Sequence, residues 1–217
     1  MAIISLLLQN SAGLMSIGLA DGDQLLFDST IDVDLAGSRN VETYVSAAFT
    51  HSGKDIADVD CVFVDIGPGG LGATRTTVAF ANALGFANVI PVIGINAFEL
   101  IGYDVAQLTK KSVVCIRPAA KPNYYMAIYD HGTLSDFSFV DTDAVQSFIR
   151  RHQSTASFAG KFSFVDILGE QDDTWPVPVA NIASMPSFLA VSLAKYKKST
   201  WTKRVYPISE NLVVNNQ

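Results

Sequence analysis

The sequence predicts an α/β fold built from two similar halves. Three observations predict it. Strand-like apolar runs alternate with helix-like runs along the chain. A three-stranded antiparallel meander followed by helix-bearing segments is predicted at the start, and the same order begins again at Ser112. With 217 residues, 49% of them hydrophobic, the chain is long enough to bury a core as one domain or two small ones.

The first half is predicted to contain five strands and three helices. The strands are apolar runs bounded by turn signals, over Ile3–Leu8, Leu14–Ala20, Gln24–Thr30, Cys61–Ile66 and Val89–Gly94. The helices have apolar residues at helical spacing, over 38–51, 72–86 and 96–108. Ser38 and Asn96 are predicted to cap the first and third helices, because their side-chain oxygens accept hydrogen bonds from backbone N–H groups that the helix leaves unpaired.

The second half is predicted to repeat this order of elements. Its strands are expected over 112–118, 123–132, 133–141 and 156–159, with His131-Gly132 as a hairpin turn. Its helices are expected over 143–151 and 187–198, before a short apolar tail over 205–214. A boundary near 105–112 predicts an N-terminal subdomain over 1–108 and a C-terminal subdomain over 109–217.

Charge and composition argue against several classes of protein. A net charge of −6 argues against a chain that binds nucleic acid by itself, since phosphate binding needs clustered Lys and Arg. The basic run over 195–204 is predicted to be a solvated helix end, although contact with a nucleic acid held by another subunit stays open. The N-terminal apolar run is too short to span a bilayer and lacks a positive flank, so we expect a cytoplasmic protein without membrane contact. Cys61 and Cys115 lie in apolar runs, which predicts free buried thiols.

No motif for catalysis or metal binding is found among the reactive residues. His51, His131 and His152 are far apart and form no HExxH pair, so a zinc hydrolase would lack its ligands. There is no GxSxG motif, and neither cysteine has a base nearby in the sequence. We therefore expect no catalytic residue, no metal and no cofactor.

A glycine run, Gly67-Pro68-Gly69-Gly70, joins a buried strand to a helix and suggests a phosphate-binding loop. Gly67, Gly69 and Gly72 formally match GxGxxG, but Pro68 removes an amide donor and the loop has no Walker lysine. A tight turn is therefore the favoured interpretation, with Asp65 bonded to the loop amides. If a nucleotide binds nearby, the residues expected to lie closest to it are Ser11, Gly67, Gly69 and Arg75.

The repeated meander is the organisation of the ASKHA class, which includes actin, hexokinase and Hsp70. In that class, the turn after the first strand carries an acidic residue that orients Mg²⁺ and the attacking water. Gln9 occupies this place here, and its amide neither neutralises a cation nor accepts a proton usefully. Independent ATP hydrolysis is therefore not expected.

Several motifs, in order along nearly the whole chain, resemble those of the TsaB (YeaZ) family. The loop Gly67-Pro68-Gly69, with Arg75 and an alanine-rich helix after it, is similar to the family's GPGSFTGLR-led helix. The turn QNSAGLMSIGL resembles DTSTxxxSVAL, and IGINAFE resembles VGVSSLE. YYMAIY matches the VYxAxY strand, and RVYP over 204–207 is similar to the closing PxYLR.

The chain also departs from the family pattern at four places. Gln9 replaces the family's Asp, and Asn40-Val41-Glu42 stands for its H-S-E. Gly70 to Thr74 replaces S-F-T-G-L, and Pro118 to Asn123 replaces the D-A-R-x-G-E turn.

The resemblance implies a duplicated ASKHA unit and a non-catalytic subunit. Such a subunit binds TsaD and supports threonylcarbamoylation of N6 of adenosine-37 in ANN-decoding tRNAs, together with the ATPase TsaE. It also implies a homodimer when the subunit is alone, and tRNA contact only through the complex. The alternative is an ASKHA-fold ATPase, a small-molecule kinase or a glycoprotease-like hydrolase, and Gln9 and the scattered histidines argue against each of these.

The resemblance further implies that the helices over 38–51 and 72–86 form the surface for TsaD or for a second copy. The helix over 72–86 carries one charge, Arg75, and its small residues are spaced along one stripe, so a sheet can cover only one of its apolar faces. The predicted interface residues are Val41, Tyr44, Val45, Ala48, Thr76, Ala79 and Ala83.

Overall fold

Two mixed β-sheets form the framework of the chain in a computed structural model, which describes residues 3–35, 37–38, 40–169, 178–197 and 204–208. The first sheet has the order β3-β2-β1-β4-β5. Its strands are β1 (Ile4–Gln9), β2 (Ser16–Asp21), β3 (Gln24–Asp28), β4 (Cys61–Asp65) and β5 (Val92–Ile95). The second sheet has the order β8-β7-β6-β9. Its strands are β6 (Val113–Pro118), β7 (Tyr124–Asp130), β8 (Thr133–Val140) and β9 (Ser157–Ala159).

The two sheets are built in the same way. In each, the first three strands pair antiparallel in chain order, as expected for strands joined by short turns. A later strand then pairs parallel with the first: β4 with β1, and β9 with β6. Parallel pairing requires a crossover connection, which is why a helix precedes each of these later strands. The predicted repetition of a meander followed by helices is confirmed.

Six α-helices in the described part of the chain cover the sheets in three layers. They are α1 (Val41–Ser52), α2 (Leu71–Asn88), α3 (Ala97–Thr109), α4 (Thr142–His152), α5 (Phe164–Leu168) and α6 (Met185–Tyr196). Helices α1 and α2 cover the outer face of the first sheet, and α4 and α5 cover the outer face of the second. Helices α3 and α6 lie between the sheets.

The middle layer joins the two halves through one core. Phe63 of the first sheet, Phe98 of α3, Tyr125 of the second sheet and Phe188 of α6 belong to a single buried cluster. Helix α3 packs on the second sheet, whereas α6 packs on the first, so each half contributes a helix to the other's sheet. The predicted boundary between the two subdomains, at 108/109, falls near the end of α3. The two halves share this core, and the division into subdomains stays a prediction.

Some predicted element boundaries need correction. Asn40, not Ser38, caps α1: its Oδ1 accepts a hydrogen bond from the N–H of Glu42 at 3.0 Å. Val89 adopts a left-handed conformation with φ 59° and ends α2, so β5 starts later than predicted. The last helix begins at Met185, earlier than predicted.

Other predictions concern short or undescribed segments. Helix α5 was not predicted because one helical turn is too short for a periodic signal. Lys198 and Lys203 of the basic run, and residues 209–214 of the predicted tail, lie outside the described residues. Within the described part, no helix is long and apolar enough to cross a membrane.

The predicted state of the two cysteines is confirmed. Cys61 and Cys115 are free thiols buried in the core. Burial raises the pKa of both thiols to about 12.

Candidate functional site

The turn after β1 and the glycine loop after β4 meet at the carboxyl ends of these two parallel strands. The buried carboxylate of Asp65 accepts hydrogen bonds from the N–H of Ser11 at 3.1 Å and from the N–H of Gly67 at 2.9 Å. The N–H of Gly70 donates to the carbonyl oxygen of Ser11 at 2.8 Å. Residues 9–13, Asp65 and residues 67–70 therefore form one hydrogen-bonded unit, which we call the junction.

The glycines of the loop are needed for its shape. Gly67 has a φ of +91°, which favours glycine. A Cβ on Gly69 would lie 2.1 Å from the carbonyl oxygen of Ser11. The N–H groups of Gly67 and Gly70 are bonded within the junction, and Pro68 has none. These contacts match the tight-turn interpretation, in which the N–H groups of Gly67 and Gly70 are already bonded to the protein.

A buried arginine from the second half, Arg117, contacts the junction. It lies at the end of β6, is 2% exposed, and donates to the Oγ of Ser11 and to the carbonyl oxygen of Pro68 at 2.7 Å. It also donates to the carbonyl oxygen of Asn181 at 2.6 Å. Burial lowers the pKa of Arg117, and the charge of Asp65 opposes that shift.

The sequence reasoning missed Arg117. The available signal was a charged residue at the end of the apolar strand run VVCIR, where a cation needs partners if it is buried. Its partners lie far away in the sequence, so no local pattern identifies them.

Gln9 uses both ends of its amide to bind the segment that precedes α6. Its Nε2 donates to the carbonyl oxygen of Ala183 at 2.9 Å and to the Oγ of Ser16 at 3.2 Å. Its Oε1 accepts from the N–H of Ala183 at 3.3 Å. A carboxylate could not donate to that carbonyl oxygen, which gives Gln9 a structural role that an Asp could not perform.

Further contacts surround the same turn. The Nδ2 of Asn10 donates to the Oγ1 of Thr77 in α2 at 3.1 Å. From the second half, the Nζ of Lys161 donates to the carbonyl oxygen of Ala12 at 3.4 Å. The junction is therefore bonded both to α2 and to the second half of the chain.

The predicted nucleotide-proximal residues separate into two groups. Ser11, Gly67 and Gly69 lie together in the junction, where neighbouring protein groups surround them. Arg75 lies on the exposed surface of α2 instead.

Helix α2 has one face on the sheet and one face in solvent. Its buried residues are Thr74, Thr77, Val78, Ala81 and Gly85. The exposed side carries a row that we call the α2 seam, made of Gly72, Thr76, Ala79, Ala83 and Phe86. Phe86 is 85% exposed, and Val89 just beyond the helix is 92% exposed. Three of the predicted interface residues, Thr76, Ala79 and Ala83, thus lie on a surface that the described part of the chain leaves exposed.

The predicted interface residues on α1 need correction. They are Val41, Tyr44, Val45 and Ala48, and all four are buried in the core on the outer face of the first sheet. The hydroxyl of Tyr44 donates to the carbonyl oxygen of Leu35 at 2.8 Å. An amphipathic helix places its apolar stripe on its own sheet, so the stripe of α1 is core and not a free surface.

Clefts lie on both halves of the chain. One of about 470 Å³ is lined by the turn over 118–124 together with Thr142 and residues 162–167. Two smaller clefts, of about 370 and 290 Å³, share Gly13, Met15 and Ser38 beside the start of α2. No group of three or more His, Cys, Asp or Glu residues that could hold a metal occurs among the described residues.

Comparison with protein families identifies the relationship. A family model described as TsaD, tRNA N6-adenosine threonylcarbamoyltransferase, matches residues 36–172, which is more than half of the chain. The chain belongs to this family. No curated protein matches it.

Solved structures from Pseudomonas aeruginosa share the fold over nearly the whole length. One is described as an uncharacterised protein with similarity to peptidase YEAZ; it is 15% identical with a TM-score of 0.70, and the match covers 95% of this chain and 99% of that one. YeaZ itself is 16% identical with a TM-score of 0.67 and the same coverage. The α/β, ASKHA-like fold class and the resemblance to the TsaB (YeaZ) family are therefore confirmed.

Proposed function

We propose that this chain is a non-catalytic, TsaB-like subunit that binds a TsaD-like protein. In that complex it supports threonylcarbamoylation of N6 of adenosine-37, the modification that gives threonylcarbamoyladenosine, in ANN-decoding tRNAs. The observation that carries the proposal is the uncovered apolar side of α2, and the family relationship supplies the chemistry of the partner.

The α2 seam has the spacing of a helix-pairing surface. Its five residues follow one another at intervals of four, three, four and three, which is the average repeat of 3.5 residues found where two helices pack side by side. Four of the five side chains are small, so a partner helix can approach the backbone closely. Phe86 adds a large apolar side chain at one end of the seam.

The junction supports a structural role for this part of the chain. The carboxylate of Asp65 and the amide of Gln9 are bonded to backbone groups of the chain itself. A general base or metal ligand needs a lone pair directed at its substrate or metal, whereas these groups direct theirs at the protein.

A second candidate is that the chain itself performs the transfer or a hydrolysis. One observation favours it: the family model is described as a transferase. The two candidates differ in whether the isolated chain has activity, which makes them separable by experiment.

Further parts of the proposal concern the assembly. The subunit works with a TsaE-like ATPase, forms a homodimer through the α2 seam when TsaD is absent, and acts in the cytoplasm. It reaches tRNA only through the complex, which is consistent with a net charge of −6 that repels a phosphate backbone.

The test is reconstitution with the TsaD-like protein and the TsaE-like ATPase of the same cell. We expect co-purification with the TsaD-like protein, and modified tRNA only when the partners and this chain are all present. Turnover of ATP, peptide or tRNA by this chain alone would establish the enzyme candidate instead. Failure to co-purify would contradict the subunit proposal.

A matched pair of variants links the result to the seam. Ala79→Glu places a charge on the seam, whereas Ala190→Glu places the same charge on an exposed alanine of α6. We expect only the first variant to lose the TsaD-like protein from the purified complex.

A further inference from the structure

Arg117 belongs to the second sheet, yet it lies at the base of α2. The sequence separates it from Ser11 by 106 residues and from Pro68 by 49, and it bonds both. Binding of a partner at the α2 seam does not by itself require a buried cation at the base of the helix. Partner contact alone therefore does not explain why Arg117 is buried there.

A continuous set of hydrogen bonds leads from Arg117 to the first turn of α2. Arg117 donates to the Oγ of Ser11, whose carbonyl oxygen accepts the N–H of Gly70 at 2.8 Å. The carbonyl oxygen of Gly70 in turn accepts from the N–H of Thr74 at 2.9 Å and from its Oγ1 at 3.0 Å. Residues of both halves thus fix the place where the helix begins.

The start of α2 has no side-chain cap of its own. Its N-cap residue is Gly70, which has no side chain to accept a hydrogen bond from the first-turn N–H groups. The helices α1, α3, α4, α5 and α6 begin with an Asn, Asp or Ser that does accept one. The direction of α2 therefore depends on the loop that leads into it, and that loop is bonded to Arg117.

Stability alone does not account for a buried cation in this position. Arg117 is buried, so its charged form loses solvation and its pKa is lowered, and its Nε–H finds no acceptor among the described residues. Replacing a whole buried ionic network by apolar residues is often neutral for stability, and such networks can serve to select one arrangement of the chain instead.

We propose that Arg117 is a positioning residue for the docking surface: it holds the first turn of α2, and hence the α2 seam, in the orientation that a partner helix requires. This inference rests on the proposed function for the identity of the partner. Arg117 also ties the base of α2 to the segment ahead of α6, because it donates to the carbonyl oxygen of Asn181.

The test uses the full chain with Arg117→Met, which keeps a long side chain without donors, and Arg117→Lys, which keeps the charge without the planar donor array. The control is a series at Ile149, to Val and to Ala, in the core between α4 and the second sheet. The Ile149 variant whose melting temperature is nearest that of each Arg117 variant is its reference. If Arg117→Met does not fold, Arg117→Lys decides by the same measurements.

Two measurements are made on each variant: hydrogen exchange of the Gly70 and Thr74 amides, and affinity for the TsaD-like protein. We expect exchange at both amides to rise about tenfold, and affinity to fall about tenfold, relative to the Ile149 reference of equal stability. Equal exchange in the Arg117 variant and its reference would overturn the inference. If the wild type does not bind a TsaD-like protein, the proposed function fails, and the exchange result still decides whether Arg117 holds the start of α2.

Discussion

Helices α1 and α2 cover the same face of the first sheet, but the sides that they turn to solvent differ. The exposed residues of α1 are largely polar: Glu42, Thr43, Ser46, Thr50 and His51. The exposed side of α2 carries the α2 seam and, in its whole length, one charged residue, Arg75. Both helices pack an apolar side on the sheet, and α2 has a second apolar side that faces solvent. The sheet covers the whole apolar surface of α1, whereas α2 keeps an apolar surface that a partner can cover.

The largest effect is expected for a charge on the buried side of α1. Ala48 is fully buried, so Ala48→Glu should lower the free energy of unfolding by about 3 kcal/mol or more. Ser46→Glu, on the exposed side of the same helix, should change it by less than about 0.5 kcal/mol. Thermal melts measure both changes, and an Ala48→Glu variant as stable as the wild type would show that α1 does not pack as described.

Thiol labelling separates unfolding from loss of a partner. At pH 8 the buried thiols, with pKa values of about 12, should resist a disulfide reagent in the wild type and in Ala83→Glu. They should react faster in Ala48→Glu, because that substitution raises the population of unfolded chains in which the thiols are exposed. Rapid labelling of Ala83→Glu would mean that the α2 seam is needed for folding and would remove the contrast between the helices.

A methyl group in the glycine loop tests how closely the base of α2 is fixed. Gly69→Ala would place its Cβ against the backbone of Ser11 and should cost about 2 kcal/mol or more. Gly72→Ala is the matched control, since nothing lies within 4 Å of its added Cβ. It should raise stability by about 0.5 kcal/mol, because alanine favours the helix more than glycine does. Denaturant titrations that gave both variants the same stability would contradict the close approach of the loop.

Alkaline pH should weaken the core and leave the α2 seam unchanged. Cys61 and Cys115 have folded pKa values of about 12, raised by burial from the ordinary thiol value of 9.0. The stability that comes from keeping these thiols protonated is complete below pH ~9 and is lost as pH rises toward 12, at about 1.4 kcal/mol per pH unit for each thiol. Denaturation measured between pH 8 and 10 should show a smaller decline in Cys115→Ala than in the wild type. Equal declines would place the titrating groups elsewhere.

The smallest effect on stability is expected at the end of the seam. Phe86→Ala removes an exposed ring and should change the free energy of unfolding by less than about 0.5 kcal/mol. It should still weaken association by about tenfold if the ring packs against a partner. Thr50→Ala on the exposed side of α1 should change neither quantity. Sedimentation of both variants measures the association, and equal values would exclude Phe86 from the contact.

The contrast between the helices also shows how far the sequence could predict this molecule. Alternating apolar runs predicted the strands and their repetition, because burial in a sheet requires that pattern. The same kind of pattern located the apolar stripe of α1, but periodicity does not tell whether a stripe faces its own sheet or another chain. The resemblance placed this helix at the interface and periodicity selected Val41 and Tyr44 on its apolar stripe, whereas the structure buries both on the first sheet.

The junction was the least predictable part of the molecule. The loop glycines and Asp65 gave local signals, and a bond from Asp65 to a loop amide was expected from its position. The contacts of Arg117, and those of Gln9 with Ala183, join residues that are 49 to 174 positions apart. Such pairs depend on how the two sheets are placed together, and a single sequence carries no periodic signal for that placement.

The most direct test of the central claim is a titration of the TsaD-like protein with Ala83→Glu. Ala190→Glu and the wild type serve as controls, and a thermal melt of each protein accompanies the titration. We expect Ala83→Glu to melt within a few degrees of the wild type and to bind at least about a hundredfold more weakly, because a charge cannot be buried in a closely packed contact without loss of its hydration. Wild-type affinity in a folded Ala83→Glu variant would show that the docking surface lies elsewhere.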